Sequence, residues 1–298
     1  MNLGPTYIDD TFAEAFGMRY CRLIVTAHDA HWLDAAKSEF CGYSSSVIAC
    51  DCEAGLEHEC SPTETPDGRP GVSLLAFGFS TEALSQAMAK RTGQCIMTCA
   101  STAAFDGLTQ STERIALGKH IRFFGDGFQK SKIVDGRRFW RIPVMDGEFL
   151  VESQIGVAKG VAGGNIIVQA TDLATGLAAA RRGVEAIAEL PGVITPFPGG
   201  IARSGSKVGS RYKALKASTS DPFCPTLRGR VPSALHDQAN CALEIVMDGE
   251  SEQAVGTAMA AAMRAVAGDG VVAISAGNYG GKLGKYQFSL RELLQSKQ

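Results

Sequence analysis

The sequence predicts an α+β fold in two lobes, each a split βαβ sandwich with two helices covering one face of an antiparallel sheet. Three observations carry this expectation. Four times the chain reads strand, capped amphipathic helix, strand. The third and fourth of these units look like copies, passing in the same order from helix through a Gly turn to a strand and then to a loop with Gly-Gly and a Lys. No Gly-x-Gly-x-x-Gly joins the first strand to the first helix, which argues against the alternative of one doubly wound sheet. The lobes are expected at 1–150 and 151–298, divided after a strand over Phe139–Met145.

The first unit is a strand over Tyr20–Thr26, a helix opening at Asp29 with Leu33, Ala36 and Phe40 on one face, and a strand over Ser46–Cys50. The second is Val72–Phe77, a helix from about Ser80 with Leu84 and Met88, and Cys95–Cys99. The third is Asn165–Ala170, a helix opening at Asp172, and Val193–Pro196; its apolar face is Leu173, Leu177, Ala180, Val184 and Ile187. The fourth is Cys241–Met247, a helix opening near Ser251 with Val255, Met259, Met263 and Val266, and Val271–Ser275. Asp and Ser before each apolar stripe accept from free helix N–H groups, and the three-or-four spacing gives each helix one apolar side. Between the units, Glu53 to Gly71 reads as a long irregular loop, and Phe123-Phe-Gly-Asp-Gly-Phe128 as an aromatic, glycine-rich one. Asp9-Asp10, ahead of Thr11-Phe-Ala-Glu-Ala-Phe16, read as the N-cap of a helix.

Composition narrows the function classes. With 298 residues and 45% apolar content the chain can bury a substantial core. Its net charge of −2 (29 basic, 31 acidic) gives no basic field for nucleic acid. No apolar run approaches a membrane span, and no basic segment followed by an apolar one marks a signal peptide. Nine cysteines without paired zinc spacing read as reduced, mostly buried cytosolic thiols, and five scattered histidines complete no metal set.

Two places could carry chemistry. Residues 196–216 hold Gly199, Gly200, Gly205 and Gly209, the hydroxyls of Ser204, Ser206 and Ser210, and Arg203, Lys207, Arg211, Lys213 and Lys216 with no acid among them. Free N–H groups, small residues and one sign of charge make a cradle for an anionic small molecule, or else a solvated surface loop. Gly277-Asn-Tyr-Gly-Gly-Lys282 repeats the theme, with Asn278 and Tyr279 placed to read polar edges of a ligand or to form a plain turn. Glu244 stands mid-strand between Ala242 and Val246, on the face opposite Leu243, Ile245 and Met247. Partly desolvated there, it would stay protonated and could donate a hydrogen bond to a developing oxyanion; on a solvated sheet face it would be an ordinary carboxylate.

Several longer stretches carry a resemblance. Thr11-Phe-Ala-Glu-Ala-Phe16, Glu64-Thr-Pro-Asp-Gly-Arg-Pro-Gly-Val72, Phe123-Phe-Gly-Asp-Gly127, Asp146-Gly-Glu-Phe149, Pro196-Phe-Pro-Gly-Gly200, Ser206-Lys-Val-Gly209 and Ile274-Ser-Ala-Gly-Asn278 with Gly280-Gly-Lys-Leu-Gly284 resemble formylmethanofuran–tetrahydromethanopterin formyltransferases. The resemblance runs from about residue 8 to 290. It implies lobes of ferredoxin-like topology, a cytoplasmic enzyme without metal or prosthetic group, and formyl transfer between the amine of methanofuran and N5 of tetrahydromethanopterin as co-substrates. Glu244 falls at the family's proposed active-site glutamate, which makes it the catalytic candidate. Pro198, Gly199, Gly200, Arg203, Ser204, Ser206, Lys207, Gly209, Asn278, Tyr279, Phe124 and Asp126 are the substrate-binding candidates. Archaeal members are homotetramers. This chain lacks their acidic excess and is rich in cysteine, so it looks more like the methylotroph subunit of a formyltransferase/hydrolase complex, working toward formate in formaldehyde oxidation. The competing reading is a formyltransferase-like scaffold that binds the carriers without turnover.

Overall fold

The computed structural model describes residues 1–295, which form mixed sheets and helices in two compact units, 18–159 and 1–17 with the described residues from 160 on. The expected division at 150 differs from these bounds twice. The first seventeen residues belong with the C-terminal half, and the long strand Gln154–Ala170 carries the chain to 159 before the second unit begins.

In the unit 18–159 the strand order is Glu53–Cys60, Gly71–Gly78, Phe12–Thr26, Ala103–Asp106, each antiparallel to its neighbour. Gly147–Glu152 extends the sheet parallel to Ala103–Asp106 and continues into a meander through Arg137–Val144 and Lys130–Val134. The helix Ala30–Cys41 opens at Asp29, whose carboxylate accepts from the N–H groups of His31 and Trp32. The helix Thr81–Arg91 opens at Ser80, which accepts from Ala83. Leu33, Ala36, Phe40, Leu84, Ala87 and Met88 are buried in one core with Leu23, Val25, Leu74 and Ala76.

Two expected strands here are not strands. Ser46–Cys50 forms turns, because side chains take its amides: the Glu53 carboxylate accepts from Val47 at 3.0 Å and the Ser46 hydroxyl from Ile48 at 3.4 Å. The strand is Glu53–Cys60, inside what read as loop; its inward Glu57 is satisfied by both ends of the Arg22 guanidinium and by Ser73. Cys95–Cys99 continues the preceding helix through a wide π-turn over Thr92–Ile96, and the strand follows at Ala103–Asp106. A short apolar run fits helix and strand equally well by periodicity.

In the other unit the order is Val193–Ile194, Cys241–Gly249, Gln154–Ala170, Val271–Ser275, again antiparallel throughout, with Thr6–Ile8 added parallel at the edge. The helices Leu173–Ala188 and Glu252–Val266 open at Asp172 and Ser251, each bonded to an N–H three residues on. Val255, Met259, Met263 and Val266 are buried as expected. The first helix turns differently: Leu173 and Leu177 are 59% and 46% exposed, while Gly176, Ala179, Ala180, Gly183 and Ile187 face inward. Small residues let the two helices approach closely; a Cβ on Gly183 would stand 2.6 Å from a Val266 methyl. Asp9 and Asp10 precede no helix: Phe12–Thr26 is a strand, paired over Phe12–Ala15 with Tyr286–Ser289, and Asp10 meets Arg291 at 2.9 Å.

Candidate functional site

The site grows from the alternation of Cys241–Gly249. Leu243, Ile245 and Met247 enter the core beneath the two helices, so Glu244 points to the opposite sheet face. There it stands in register with Ile167, which in turn is opposite Ser275. The same strands bring buried Asn165 and Gln169 to this face, an unusually polar row for a sheet interior. The covering layer is the segment 195–240. It is held by a main-chain bridge, Ala202 N to Glu244 O at 2.8 Å and Glu244 N to Ala202 O at 2.9 Å, and by His236 N donating to Gln169 at 2.8 Å.

Burial pushes the Glu244 carboxyl above the ordinary glutamate range, and the Ser206 hydroxyl that donates to its Oε2 pulls it down less strongly. A carboxyl shifted this way keeps its proton to higher pH, and while protonated it can donate a hydrogen bond. It lines a recess of about 30 Å³ with Ile167, Ala202, Arg203, Ser204, Ser206 and Phe223. That is the space of about two water molecules, enough for a one-carbon oxygen-bearing group.

The loop that follows Val271–Ser275 completes the surroundings. Asn165 clamps Gly277, accepting from its N–H at 2.6 Å and donating to its carbonyl at 3.2 Å; a Cβ on Gly277 would lie 3.6 Å from Glu244 Oε1. Tyr279 reaches across to the covering segment, where its hydroxyl accepts from Val208 N at 2.8 Å and donates to Ser206 O at 3.5 Å. Glu14, 1% exposed on the strand Phe12–Thr26, lies under this loop and accepts from the N–H groups of Tyr279, Gly281, Leu283 and Gly284.

Among the substrate-binding candidates, Arg203, Ser204 and Ser206 line the Glu244 recess, and Tyr279 touches Ser206 and Val208. Lys207 sits in the ribbon Lys207–Val208/Ala217–Ser218 with its ammonium bonded to Asp221, which holds that carboxylate below its ordinary range. Pro198, Gly199 and Gly200 form a tight turn ahead of Ala202; Gly200, at φ 76°, packs where a Cβ would stand 2.6 Å from Val184. Gly209, at φ 90°, closes the ribbon by donating to Lys216 O. The Asn278 amide is taken up locally, donating to Thr11 and Phe12 and accepting from Gly280. Phe124 and Asp126 belong to the unit 18–159, in the short helical turn Arg122–Gly125 and at its left-handed end; Phe124 is 58% exposed and lies against Gly93.

Sequence reasoning missed Glu14, Asn165 and Gln169. The signal for Glu14 was the one that found Glu244, a lone acid between alanines in an apolar strand. Asn165 and Gln169 carried a weaker one, two amides two strand-pairs apart on one face of Asn165-Ile-Ile-Val-Gln169.

A carboxyl of raised pKa at a small recess lined by serines and an arginine is a combination that can steady developing negative charge on a small acyl group. Residues 1–144 match the family model described as formylmethanofuran-tetrahydromethanopterin formyltransferase, and residues 147–293 match the one for its proximal lobe. A formylmethanofuran–tetrahydromethanopterin formyltransferase of Methylobacillus flagellatus is 51% identical over 99% of this chain and all of its own length. The crystal structure of the formyltransferase/hydrolase complex of Methylorubrum extorquens with methylofuran contains a chain 47% identical, with TM-score 0.94 over 99% of this chain and 98% of that one. The Methanosarcina barkeri formyltransferase superposes with TM-score 0.92 at 42% identity, covering 98% of this chain and all of that one. The chain belongs to the formylmethanofuran–tetrahydromethanopterin formyltransferase family.

Proposed function

We propose that this chain is an N-formyltransferase that moves a formyl group between N5 of tetrahydromethanopterin and the amine of a methanofuran-type carrier, with Glu244 as its catalytic acid. The amine nitrogen adds to the formyl carbon, the carbonyl becomes an oxyanion, and the carbon–N5 bond breaks as the proton lost by the amine reaches N5. No covalent nucleophile enters these steps; alignment of the two nitrogens and stabilisation of the oxyanion are what the protein supplies. The observation that carries the reading is the Glu244 carboxyl, its pKa raised by burial, bonded to Ser206 at a recess with room for a formyl group. The carriers' bodies then lie outside the recess, and Arg203 at its rim suits the carboxylates of a methanofuran-type tail.

The neighbouring order Val193–Ile194, Cys241–Gly249, Gln154–Ala170, Val271–Ser275, with its counterpart in the unit 18–159, supports two ferredoxin-like lobes. The likeness to a subunit of a formyltransferase/hydrolase complex supports transfer from the pterin to the furan amine, with formate released by a hydrolase partner in a cytoplasmic oxidation of formaldehyde. A homotetramer, which the resemblance to archaeal members implies, is the other assembly. Among the described residues no helix is long and apolar enough to cross a membrane, and no cluster of His, Cys, Asp and Glu is disposed to hold a metal.

The test is direct. The protein is incubated with formyl-tetrahydromethanopterin and a methanofuran amine, and the pterin absorbance is followed. Formyl transfer supports the enzyme; no transfer in either direction, with and without hydrolase partner subunits, rejects it in favour of a carrier-binding scaffold.

A further inference from the structure

We infer that Glu14 is a positioning residue for formyl transfer: by gathering the N–H groups of the Tyr279–Gly284 loop, it fixes Tyr279 against the segment that presents Ser206 to Glu244. The inference rests on Glu244 as the reacting acid.

The partners of Glu14 are unlike those of three other buried acids. Glu57, Asp106 and Glu152 each meet an arginine. The Glu14 carboxylate instead takes four main-chain donors from a single loop, with Oε2 on Tyr279 N and Gly281 N, and Oε1 on Leu283 N and Gly284 N. Four convergent amides can form only if the loop winds around the carboxylate. That winding needs glycine: Gly280 and Gly281 have φ of 69° and 73°, and a Cβ on Gly284 would stand 2.6 Å from Ala15 O. Gly280-Gly-Lys-Leu-Gly284 is therefore shaped to an internal carboxylate rather than left open for an external anion. The N-terminal strand adds a main-chain tie, Glu14 N to Gly277 O at 3.3 Å.

What the loop carries explains why it should be held so firmly. Its first residue, Gly277, flanks Glu244 Oε1, and Tyr279 is the first donor to Glu14 and also the loop's reach to the covering segment. Two bonds from the Tyr279 hydroxyl fix Val208 and Ser206 from behind, and Ser206 then meets Glu244 from the front. The covering segment is otherwise exposed through residues 211–216, so this tie decides how steadily Ser206 is held. Glu14 touches no reacting atom; it acts through Tyr279.

The prediction is coupling. Glu14→Gln keeps the side chain's shape but turns one acceptor into a donor facing amides that also donate. Its turnover should fall roughly 10–100-fold, the scale for a misplaced group in a catalytic site. Tyr279→Phe removes the reach alone and should lose turnover on the same scale. In the double variant the loss should stay within about twofold of the worse single variant, because both changes break one chain of contacts. Losses that multiply would show that Glu14 serves only the fold and would overturn the inference. If Glu14→Gln does not fold, Tyr279→Phe decides: turnover within about twofold of the unmodified protein means that the loop passes nothing to Ser206. Full turnover in Glu244→Gln would instead reject the proposed function, whereas an inactive Glu244→Gln beside multiplicative losses rejects Glu14 alone.

Discussion

The two glycine-rich loops of the C-terminal half look alike in sequence, each with Gly-Gly and a Lys after a strand, yet each treats its nearby glutamate in the opposite way. The loop at 277–284 turns four N–H groups onto Glu14; burial alone would raise that carboxyl, and the backbone donors outweigh it, so its pKa is lowered. The loop at 199–209 offers Glu244 the Ser206 hydroxyl, burial wins, and the pKa is raised. Both carboxyls sit on strands among apolar neighbours. The balance between burial and the donors aimed at the charged form sets the two opposite directions.

The largest effect that can break this contrast is at the acid. Glu244→Gln keeps the size but replaces the acid O–H donor to the oxyanion with a weaker amide N–H. Turnover should fall roughly 10²–10³-fold, with carrier binding nearly unchanged. In the unmodified protein, turnover should decline as pH rises through the raised Glu244 pKa, and Glu244→Gln should lack that alkaline limb. Turnover within a few-fold of the parent would remove Glu244 from the chemistry.

Stability should separate the two glutamates by the sign of its pH dependence. Glu14 has a folded-state pKa below 4.5, so its contribution is present above 4.5 and is lost as pH falls through the folded value. Glu14→Gln should cost about 1–3 kcal/mol at neutral pH, the scale for buried donors left without their acceptor, and the deficit should shrink in acid. Glu244 has a folded-state pKa above 4.5, so its contribution is present below 4.5 and is lost as pH rises through the folded value. Relative to the parent, Glu244→Gln should gain stability toward alkaline pH. Denaturant midpoints across pH would show both slopes, and slopes of the same sign would dissolve the contrast.

A smaller effect is expected at the rim. Arg203 is exposed beside the recess, whereas Lys207 is already bonded to Asp221. Arg203→Ala should raise the Michaelis constant for a long-tailed methanofuran carrier several-fold at low salt, and less at 1 M salt, where the Debye length is about 3 Å. Lys207→Ala should do less, and neither should change the constant for a truncated furan amine. Equal losses for long and short carriers would reject the tail contact. The smallest effect is expected at the thiols: Cys95→Ala and Cys99→Ala should keep full turnover and lose about 1 kcal/mol of packing at most, since both are only half-buried. A folded but inactive Cys95→Ala would bring a covalent step back.

The sequence made the contrast only half legible. Helix starts at Asp29, Ser80, Asp172 and Ser251 were readable because a cap and an apolar stripe are both local. Ser46–Cys50 and Cys95–Cys99 were not, because side-chain bonding to the backbone and a π-turn decide them, and neither leaves a periodicity. Glu244 stood out as a lone acid in an apolar strand. Glu14 gave the same pattern, but its partners lie more than 260 residues away in sequence. The 280–284 glycines read as open to a ligand, since nothing in their own sequence shows that a carboxylate already fills them.

The central claim is that Glu244 is a neutral acid at working pH. It is tested most directly by the infrared difference spectrum between the unmodified protein and Glu244→Gln at neutral pH. The unmodified protein alone should show the carbonyl band of a protonated carboxyl, converting to carboxylate bands as pH is raised. Carboxylate bands already present at neutral pH, with no carbonyl band lost in the variant, would contradict it.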